Sequence, residues 1–320
     1  MSPIPRGPAG GGRGRAREAS MVPEATVRTY YDRPVLKEPV WKWYIPAYFF
    51  TGGLAAGSSL LAFGGRLTRN GRLARQSRLV SLAALGVSTG LLVADLGRPA
   101  RFYNMLRVMK PTSPMSVGSW VLSAFGVGTG TAVGSDVLGV LPGVGALGDA
   151  AAAALAPAVA TYTAVLVSDT SVPAWHEGRD ELPFVFAGGA AASAAGLAVA
   201  LAPPEAAGPA RRALVGGAAL ELGALELLHR RLGPPLDRAY DEGLAGRLSR
   251  LSRWLTGAGA ATVALGGRKR PLAVAGGLAA VAGAALERFA VFEAGKASTR
   301  DPRYVVGPQR ARVEARGGGA

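Results

Sequence analysis

Long apolar runs alternate with short polar segments along most of this chain. Each run is close to the roughly 20 residues that a helix needs to cross a bilayer. The pattern predicts eight transmembrane helices, and the seventh has the weakest signal because it is short and rich in Gly and Ala. Their predicted bounds are Tyr44–Gly65, Leu79–Leu96, Met115–Leu138, Ala150–Val167, Pro183–Leu201, Ala213–Leu228, Leu251–Gly267 and Leu272–Phe292. We therefore expect an all-α, polytopic membrane protein.

The segments outside these runs divide the chain into three parts. Residues 1–40 contain Pro, Gly and Arg without an apolar run, which predicts a mobile N-terminal tail. They lack the short apolar core and cleavage site of a signal peptide, so we expect the first span to be retained. Residues 41–292 form the predicted membrane domain, and residues 293–320 form a polar C-terminal tail.

The composition agrees with a membrane protein and excludes several kinds of site. Hydrophobic residues make up 49% of the chain and charged residues only 18%, against about 25% in soluble domains. Without cysteine, the chain cannot hold an iron–sulfur cluster. It has two histidines, His176 and His229, so a haem held between them is not excluded by number but would leave no spare ligand.

The net charge of +15 has two interpretations, nucleic-acid binding and membrane topology. Basic residues of multi-span proteins gather in loops on the cytoplasmic side, and that explanation fits the pattern better. We call the side that carries both termini the N face. It receives 26 of the 36 Lys and Arg residues when Arg253 and Arg288, near the N-face ends of spans seven and eight, are included, and the opposite face receives 10. The distribution predicts a plasma (inner) membrane protein with both termini in the cytoplasm and no nucleic-acid partner.

Small residues recur at four-residue spacing inside two spans. Gly53 and Gly57 form one G-x-x-x-G motif, and Gly126, Gly130 and Gly134 form two more. This spacing places small residues on one helix face, where backbones can approach closely. We expect tight helix packing at both places.

The polar residues of the first bundle lie near the N face. Trp41, Trp43 and Tyr44 fit an aromatic belt at the membrane boundary. Tyr48 lies one helical turn deeper and is either a packed tyrosine or a hydrogen-bond donor to a ligand. The fourth span carries a second tyrosine, Tyr162.

The end of the second span carries a charged pair. Asp95 lies close to the apolar run, where an ionised carboxylate needs a partner, and Arg98 follows three residues later. The simplest interpretation is a salt-bridged helix stop. Thr112 or Ser113 can cap the third span.

The sixth span carries ionisable residues within the apolar region. Glu221 lies near its centre, and Glu226 and His229 follow towards the N face. A proton path and an interhelical hydrogen bond by a protonated Glu both fit this pattern. Glu287 and Arg288, near the end of span eight, are interpreted as interface pairs.

Four motifs follow one another in the first half of the chain: WKWYIPAYFFTGGLAAG, DLGRPARF, PTSPMSVGSW and YTAVLVSDTSVPAW. Together with EAGKASTRDPRY at Glu293–Tyr304, they resemble the membrane subunit family of polysulfide reductase and formate-dependent nitrite reductase (NrfD/PsrC). The resemblance covers roughly residues 41–304 and is strongest over the first four spans.

The resemblance implies a haem-free subunit of two four-helix bundles, at about residues 44–167 and 183–292. Such subunits bind a quinone, menaquinone or ubiquinone, in the first bundle and exchange electrons with a ferredoxin-like iron–sulfur subunit. A molybdopterin catalytic subunit usually completes the complex. Tyr48 and Tyr162 match polar quinone contacts, and Asp95 and Arg98 match an aspartate–arginine loop motif. Ile45 stands where a relative has a polar quinone ligand.

Other interpretations remain open at this point. Acidic residues within a span, such as Glu221, also suit a secondary transporter with broken helices, although no inverted repeat is visible. A passive membrane anchor that lacks a working quinone site is a third possibility. The precedents within the family include periplasmic partners, whereas the charge distribution favours a cytoplasmic N face.

Overall fold

The computed structural model describes residues 36–306, and this part of the chain is helical without strands. Eight long helices and three short ones follow in chain order. They are α1 (Tyr44–Leu67), α2 (Gly71–Asp95), α3 (Arg101–Met105), α4 (Pro114–Leu138), α5 (Pro142–Ser168), α6 (Pro173–Glu177), α7 (Leu182–Leu201), α8 (Gly208–Leu232), α9 (Arg238–Asp241), α10 (Gly243–Gly266) and α11 (Arg270–Arg300). Most of the predicted N-terminal tail (1–35) and the end of the C-terminal tail (307–320) lie outside the described residues.

Six of the eight long helices are long and apolar enough to cross a membrane: α1, α2, α4, α5, α7 and α11. The prediction of an all-α, polytopic membrane protein is therefore confirmed. Helices α8 and α10 are as long as the others but more polar. Both carry arginines within their length, including Arg230 and Arg231 on α8 and Arg250 and Arg253 on α10.

Local sequence sets where several helices begin. Asn70 precedes α2 and its side chain accepts a hydrogen bond from the Leu73 backbone N–H, at 3.2 Å. Ser113 caps α4 in the same way, so the residue before Pro114 takes the role predicted for Thr112 or Ser113. Proline near the start of α4, α5, α6, α7, α8 and α11 suits the first turn, whose N–H groups have no helical partner.

Helix α1 lies at the centre of the molecule and packs against α2, α5 and α7. Helix α4 packs on α5 and α2, while α7 packs on α8 and α11, and α10 packs on α11 and α8. The α1–α7 and α5–α7 contacts join the two groups of helices. We call α1, α2, α4 and α5 the first group of helices and α7, α8, α10 and α11 the second group.

Close helix packing is confirmed at one predicted glycine motif and wrong at the other. A side chain at Gly57 would overlap the backbone of Ala190 on α7, so α1 and α7 do approach closely there. Gly130 and Gly134 have nothing within 4 Å of an added Cβ. The close approach of α4 occurs instead at Gly128, whose added Cβ would lie 3.0 Å from the Ala152 backbone nitrogen of α5. Gly128 faces α5, and the G-x-x-x-G residues face elsewhere.

Helix α11 continues eight residues beyond the predicted end of the last span, to Arg300. The short helix α6 explains this extension, because it packs against the final turns of α11. The Trp175 indole N–H donates to the Val291 carbonyl at 2.7 Å, and the Ala174 N–H donates to Ser298 Oγ at 3.3 Å. The first residues of the predicted C-terminal tail are therefore helical and buried on one side.

Candidate functional site

A small cavity of about 60 Å³ lies among α1, α2, α4 and α5, close to the N face. Its walls are mainly apolar, with Ile45, Phe49, Leu92 and Leu166 among them. The polar groups that reach it are Tyr48, Asp95, Ser119 and Tyr162. An apolar slot with a few convergent polar groups is typical of small-molecule sites.

Tyr48 and Tyr162 meet across this cavity. The Tyr48 side chain is buried, its ring centroid lies 6.4 Å from that of Tyr162, and the two hydroxyl groups contact each other. Gly118 of α4 leaves room for the Tyr162 ring, because an added Cβ there would lie 2.5 Å from the ring carbons. The structure thus brings together the two tyrosines predicted from the sequence, which are 114 residues apart.

Asp95 and Arg98 are placed differently from the prediction. Asp95 is the last residue of α2 and lines the cavity, whereas Arg98 is exposed beyond the helix. Within residues 36–306 no ion pair joins them, so the predicted salt bridge is wrong. The reason is that α2 has ended and Gly97 turns the chain with φ of 69°, which removes the helical spacing that the pair requires. The cation whose field acts on Asp95 is Lys42, at the start of α1.

The cavity also contains residues that sequence reasoning missed. Ser119 lies one turn into α4, and its hydroxyl donates to the Met115 carbonyl at 2.8 Å. Met115 and Met105 form part of the wall, and Met115 is 49% exposed. The only signal in the sequence was their position within or next to the motif PTSPMSVGSW, which gave no reason to select them.

The predicted aromatic belt is only partly present. Trp43 is 58% exposed at the start of α1, as a belt residue would be. Trp41 instead stacks on the buried Trp175, with ring centroids 5.8 Å apart, and Trp175 in turn lies 6.1 Å from Phe292 of α11. This aromatic stack lies beside the cavity and ties the start of α1 to α6 and α11.

A second polar cluster is buried among the last four long helices. Glu221 of α8, with Glu287 and Arg288 of α11, is completely or almost completely inaccessible. Arg288 Nη2 donates to the Phe186 carbonyl at 2.7 Å, and its guanidinium lies 4.1 Å from the Phe186 ring centroid. Arg288 Nη1 is 4.0 Å from Glu221 Oε1. The interpretation of Glu287 and Arg288 as interface pairs is therefore wrong, because this face of α11 packs against α7 and α10.

The two buried carboxylates have few partners. In the described part of the chain, neither Glu221 nor Glu287 accepts a hydrogen bond within normal limits, although Thr256 is near Glu221 and Ser252 is near Glu287. Buried carboxylates without full hydrogen bonding are costly, and such groups in a membrane usually have a function.

Glu226 and His229 do not lie in the buried cluster with Glu221. Glu226 is exposed and pairs with Arg230 at 2.8 Å, so it does not join the buried cluster. Five residues of helix turn the side chain by about 140°, which places Glu226 away from Glu221. His229 points towards the N face, with Nε2 3.4 Å from Asp241 Oδ1. Of the three predicted proton-path residues, Glu226 lies outside the interior.

Residues 34–128 match the family model described as polysulphide reductase, NrfD. The resemblance to the NrfD family is confirmed over this segment. The NrfD match includes α1, α2, α3 and the first part of α4, and therefore Tyr48, Asp95, Arg98 and Ser119. Tyr162 and the cluster around Glu221 lie outside the matched segment. No curated protein matches the chain.

Proposed function

We propose that this protein is a quinone-binding membrane subunit of a multisubunit oxidoreductase. In this role it exchanges electrons between a quinone pool and an iron–sulfur partner subunit. The observation that carries the proposal is the pair of phenol hydroxyls, from Tyr48 and Tyr162, in an apolar cavity near the N face. The residues that line this cavity, except Tyr162 and Leu166, lie within the NrfD-matched segment.

The chemistry of the cavity fits a quinone, menaquinone or ubiquinone. Quinone carbonyls accept hydrogen bonds, and Tyr48, Tyr162 and Ser119 are potential donors within apolar walls. The volume of about 60 Å³ is below the roughly 300 Å³ of typical ligand sites, so binding requires the lining side chains to move. Met105 and Met115 are flexible side chains, and Met115 is half exposed, which suits access from the lipid phase.

A bound quinone would supply two-electron, two-proton redox chemistry. The protein's own residues would orient it and handle protons. The hydroxyls of Tyr48 and Tyr162 donate hydrogen bonds, and the apolar walls of Phe49 and Leu166 exclude water. Asp95 lies at the end of α2, between the cavity and the N face, where a carboxyl group can exchange protons with the aqueous boundary.

We propose a proton path in the second group of helices through the carboxyl groups of Glu221 and Glu287, with Arg288 as their buried counter-charge and His229 at the N-face end. Three buried ionisable groups from α8 and α11 support it, as does the contact of His229 with Asp241 near the end of α8. Glu226 is excluded from this path by its exposed position.

The finer architecture is also a proposal. We infer eight spans in two four-helix bundles, α1, α2, α4 and α5 in one and α7, α8, α10 and α11 in the other. Packing within each group supports this division. The charge distribution favours a plasma (inner) membrane location with the N face in the cytoplasm, and reporter fusions at the C-terminus test it. Activity of a periplasm-only reporter there would reverse the orientation.

The absence of cysteine supports the partner proposal, because electrons must then come from clusters or cofactors held elsewhere. We propose a ferredoxin-like iron–sulfur subunit docked on the N face and a molybdopterin catalytic subunit behind it. Purifying the intact complex, identifying its subunits and extracting its quinone tests this. A chain that copurifies with no cluster-bearing protein contradicts the proposal, and uptake of a solute by the chain alone would favour a secondary transporter. An intact complex without quinone-linked turnover would identify a passive anchor.

A further inference from the structure

A second, larger cavity of about 750 Å³ opens on the face opposite the N face, between the beginning of α8 and the end of α10. Four cationic side chains line it: Arg211 and Arg212 from α8, and Arg268 and Lys269 from the α10–α11 connection. Its lining contains no aspartate or glutamate. We call it the basic cavity.

In the part of the chain that the structure describes, the cations of the basic cavity have no protein counter-ions. Within residues 36–306, none of the four forms an ion pair, and Glu205 of the preceding loop does not line the cavity. Arg211 is nevertheless held in place, because its Nη1 donates to the Pro204 carbonyl at 2.8 Å and to the Gly267 carbonyl at 3.5 Å. Four like charges around one space repel one another unless an anion lies among them.

Elsewhere on the same face, some cations are matched by acids. Arg66 and Arg78 contact Asp149, and Arg75 and Arg78 contact Asp136, at 2.7–3.6 Å. Arg66, Arg75 and Arg78 thus have acidic partners, whereas exposed Arg69 and Arg72 of this face and the four cations of the basic cavity form no ion pair within residues 36–306. The basic cavity is distinguished by four such cations that line one space.

Apolar side chains continue the basic cavity along the outside of the helices. Val215 and Leu265 form part of its wall, and they are 39% and 91% exposed. Leu220, further along α8, is 42% exposed. Cations at the membrane boundary with exposed apolar residues beside them are typical of a binding site for a lipid rather than for a soluble anion.

We propose that the basic cavity binds the phosphodiester headgroup of an anionic phospholipid, with the acyl chains along the outer faces of α8 and α10. Arg211 is the positioned ligand, and Arg212, Arg268 and Lys269 complete the charge around the phosphate. The beginning of α8, at Gly208, adds the positive end of a long helix dipole. This site is independent of the quinone site.

The test is phosphatidylglycerol binding to the purified full chain in detergent, followed by native mass spectrometry. Arg268→Gln/Lys269→Gln removes two cavity cations. The matched control, Arg69→Gln/Arg72→Gln, removes two exposed cations on the same face and outside the cavity, one from the α1–α2 connection and one from the first turn of α2. Each near-surface cation contributes roughly fivefold to the affinity for an anionic lipid, so the cavity double variant should bind at least about tenfold more weakly.

The proposal predicts that the control double variant and the parent bind phosphatidylglycerol alike, and that both prefer it to zwitterionic phosphatidylcholine. Arg212→Gln alone should weaken phosphatidylglycerol binding roughly fivefold, and this variant provides an independent test if the double variant misfolds. Equal losses in the two double variants would show diffuse surface charge and overturn the site. Binding of inorganic phosphate as tight as that of the lipid, or no preference over phosphatidylcholine, would also overturn it.

Discussion

Replacing Arg78 by Ala should destabilise the first group of helices by about 3 kcal/mol. Arg78 of α2 donates through Nε and Nη2 to Asp149 of α5, at 2.9 and 2.7 Å, and through Nη1 to Asp136 of α4 at 3.2 Å. The Asp149 side chain is only 4% exposed and that of Arg78 only 11%. One arginine thus joins three helices on the face opposite the N face.

The expected loss of stability follows from the buried charge that Arg78→Ala leaves behind. Removing one partner of a buried ion pair costs about 3–5 kcal/mol, since the other charge is left without compensation. Arg66 remains 3.6 Å from Asp149 and compensates part of its charge, which places the expected cost at the lower end.

Arg75→Ala is the matched control. Arg75 also lies on α2 and contacts Asp136 at 3.4 Å, but its side chain is 66% exposed. An exposed pair of this kind contributes about 0.2–1 kcal/mol. The two variants remove the same type of side chain from the same cluster, and they differ in burial and in the hydrogen bonds that are lost.

The assay is unfolding of the purified protein in mixed micelles with increasing dodecyl sulfate, monitored by circular dichroism. We expect Arg78→Ala to lower the free energy of unfolding by at least about 2 kcal/mol more than Arg75→Ala. Equal effects of the two substitutions would refute the reasoning that the buried, hydrogen-bonded contacts of Arg78 hold this cluster together.

Two further predictions concern proton handling and pH. Glu221→Gln should slow quinone-linked turnover without changing the yield of the complex. Glu226→Gln should leave turnover within about twofold of the parent, because Glu226 is exposed. Steady-state rates of the two variants test this. Hydrogen bonds from Arg300 and Lys296 lower the pKa of Glu38 from 4.5 to about 2. A lowered carboxyl pKa stabilises the fold above pH 4.5, and the effect disappears as the pH falls towards 2. Since the pair is partly exposed, Glu38→Gln should cost less than about 1 kcal/mol at pH 7 and progressively less in unfolding measurements below pH 4.5.

The sequence was sufficient to locate the long helices but not to predict which faces of them are buried. Apolar run lengths located all eight long helices, since hydrophobic length is a property of the chain alone. They did not show that α11 continues to Arg300, because the added turns pack against α6, which is distant in sequence and whose Ala174 N–H donates to Ser298.

For the candidate site too, the sequence predicted some residues correctly, and others depended on the fold. Motifs identified Tyr48 and Tyr162, and the structure brings them together. Spacing alone paired Asp95 with Arg98, which failed because the helix ends between them. Burial could not be assigned to Glu287 without knowing which helices surround α11, so its place beside Glu221 became visible only in the fold.

Quinone titration of the purified complex tests the central claim most directly. Tyr48→Phe and Tyr162→Phe each remove one hydroxyl that can bond a quinone carbonyl, and Tyr103→Phe is the control because Tyr103 is 77% exposed and does not line the cavity. Losing one neutral hydrogen bond weakens binding by roughly threefold to tenfold. We predict such a loss in the first two variants, no change in the control and unaltered complex yield in all three. Parent-like titrations of both Tyr48→Phe and Tyr162→Phe would contradict a quinone site between these tyrosines.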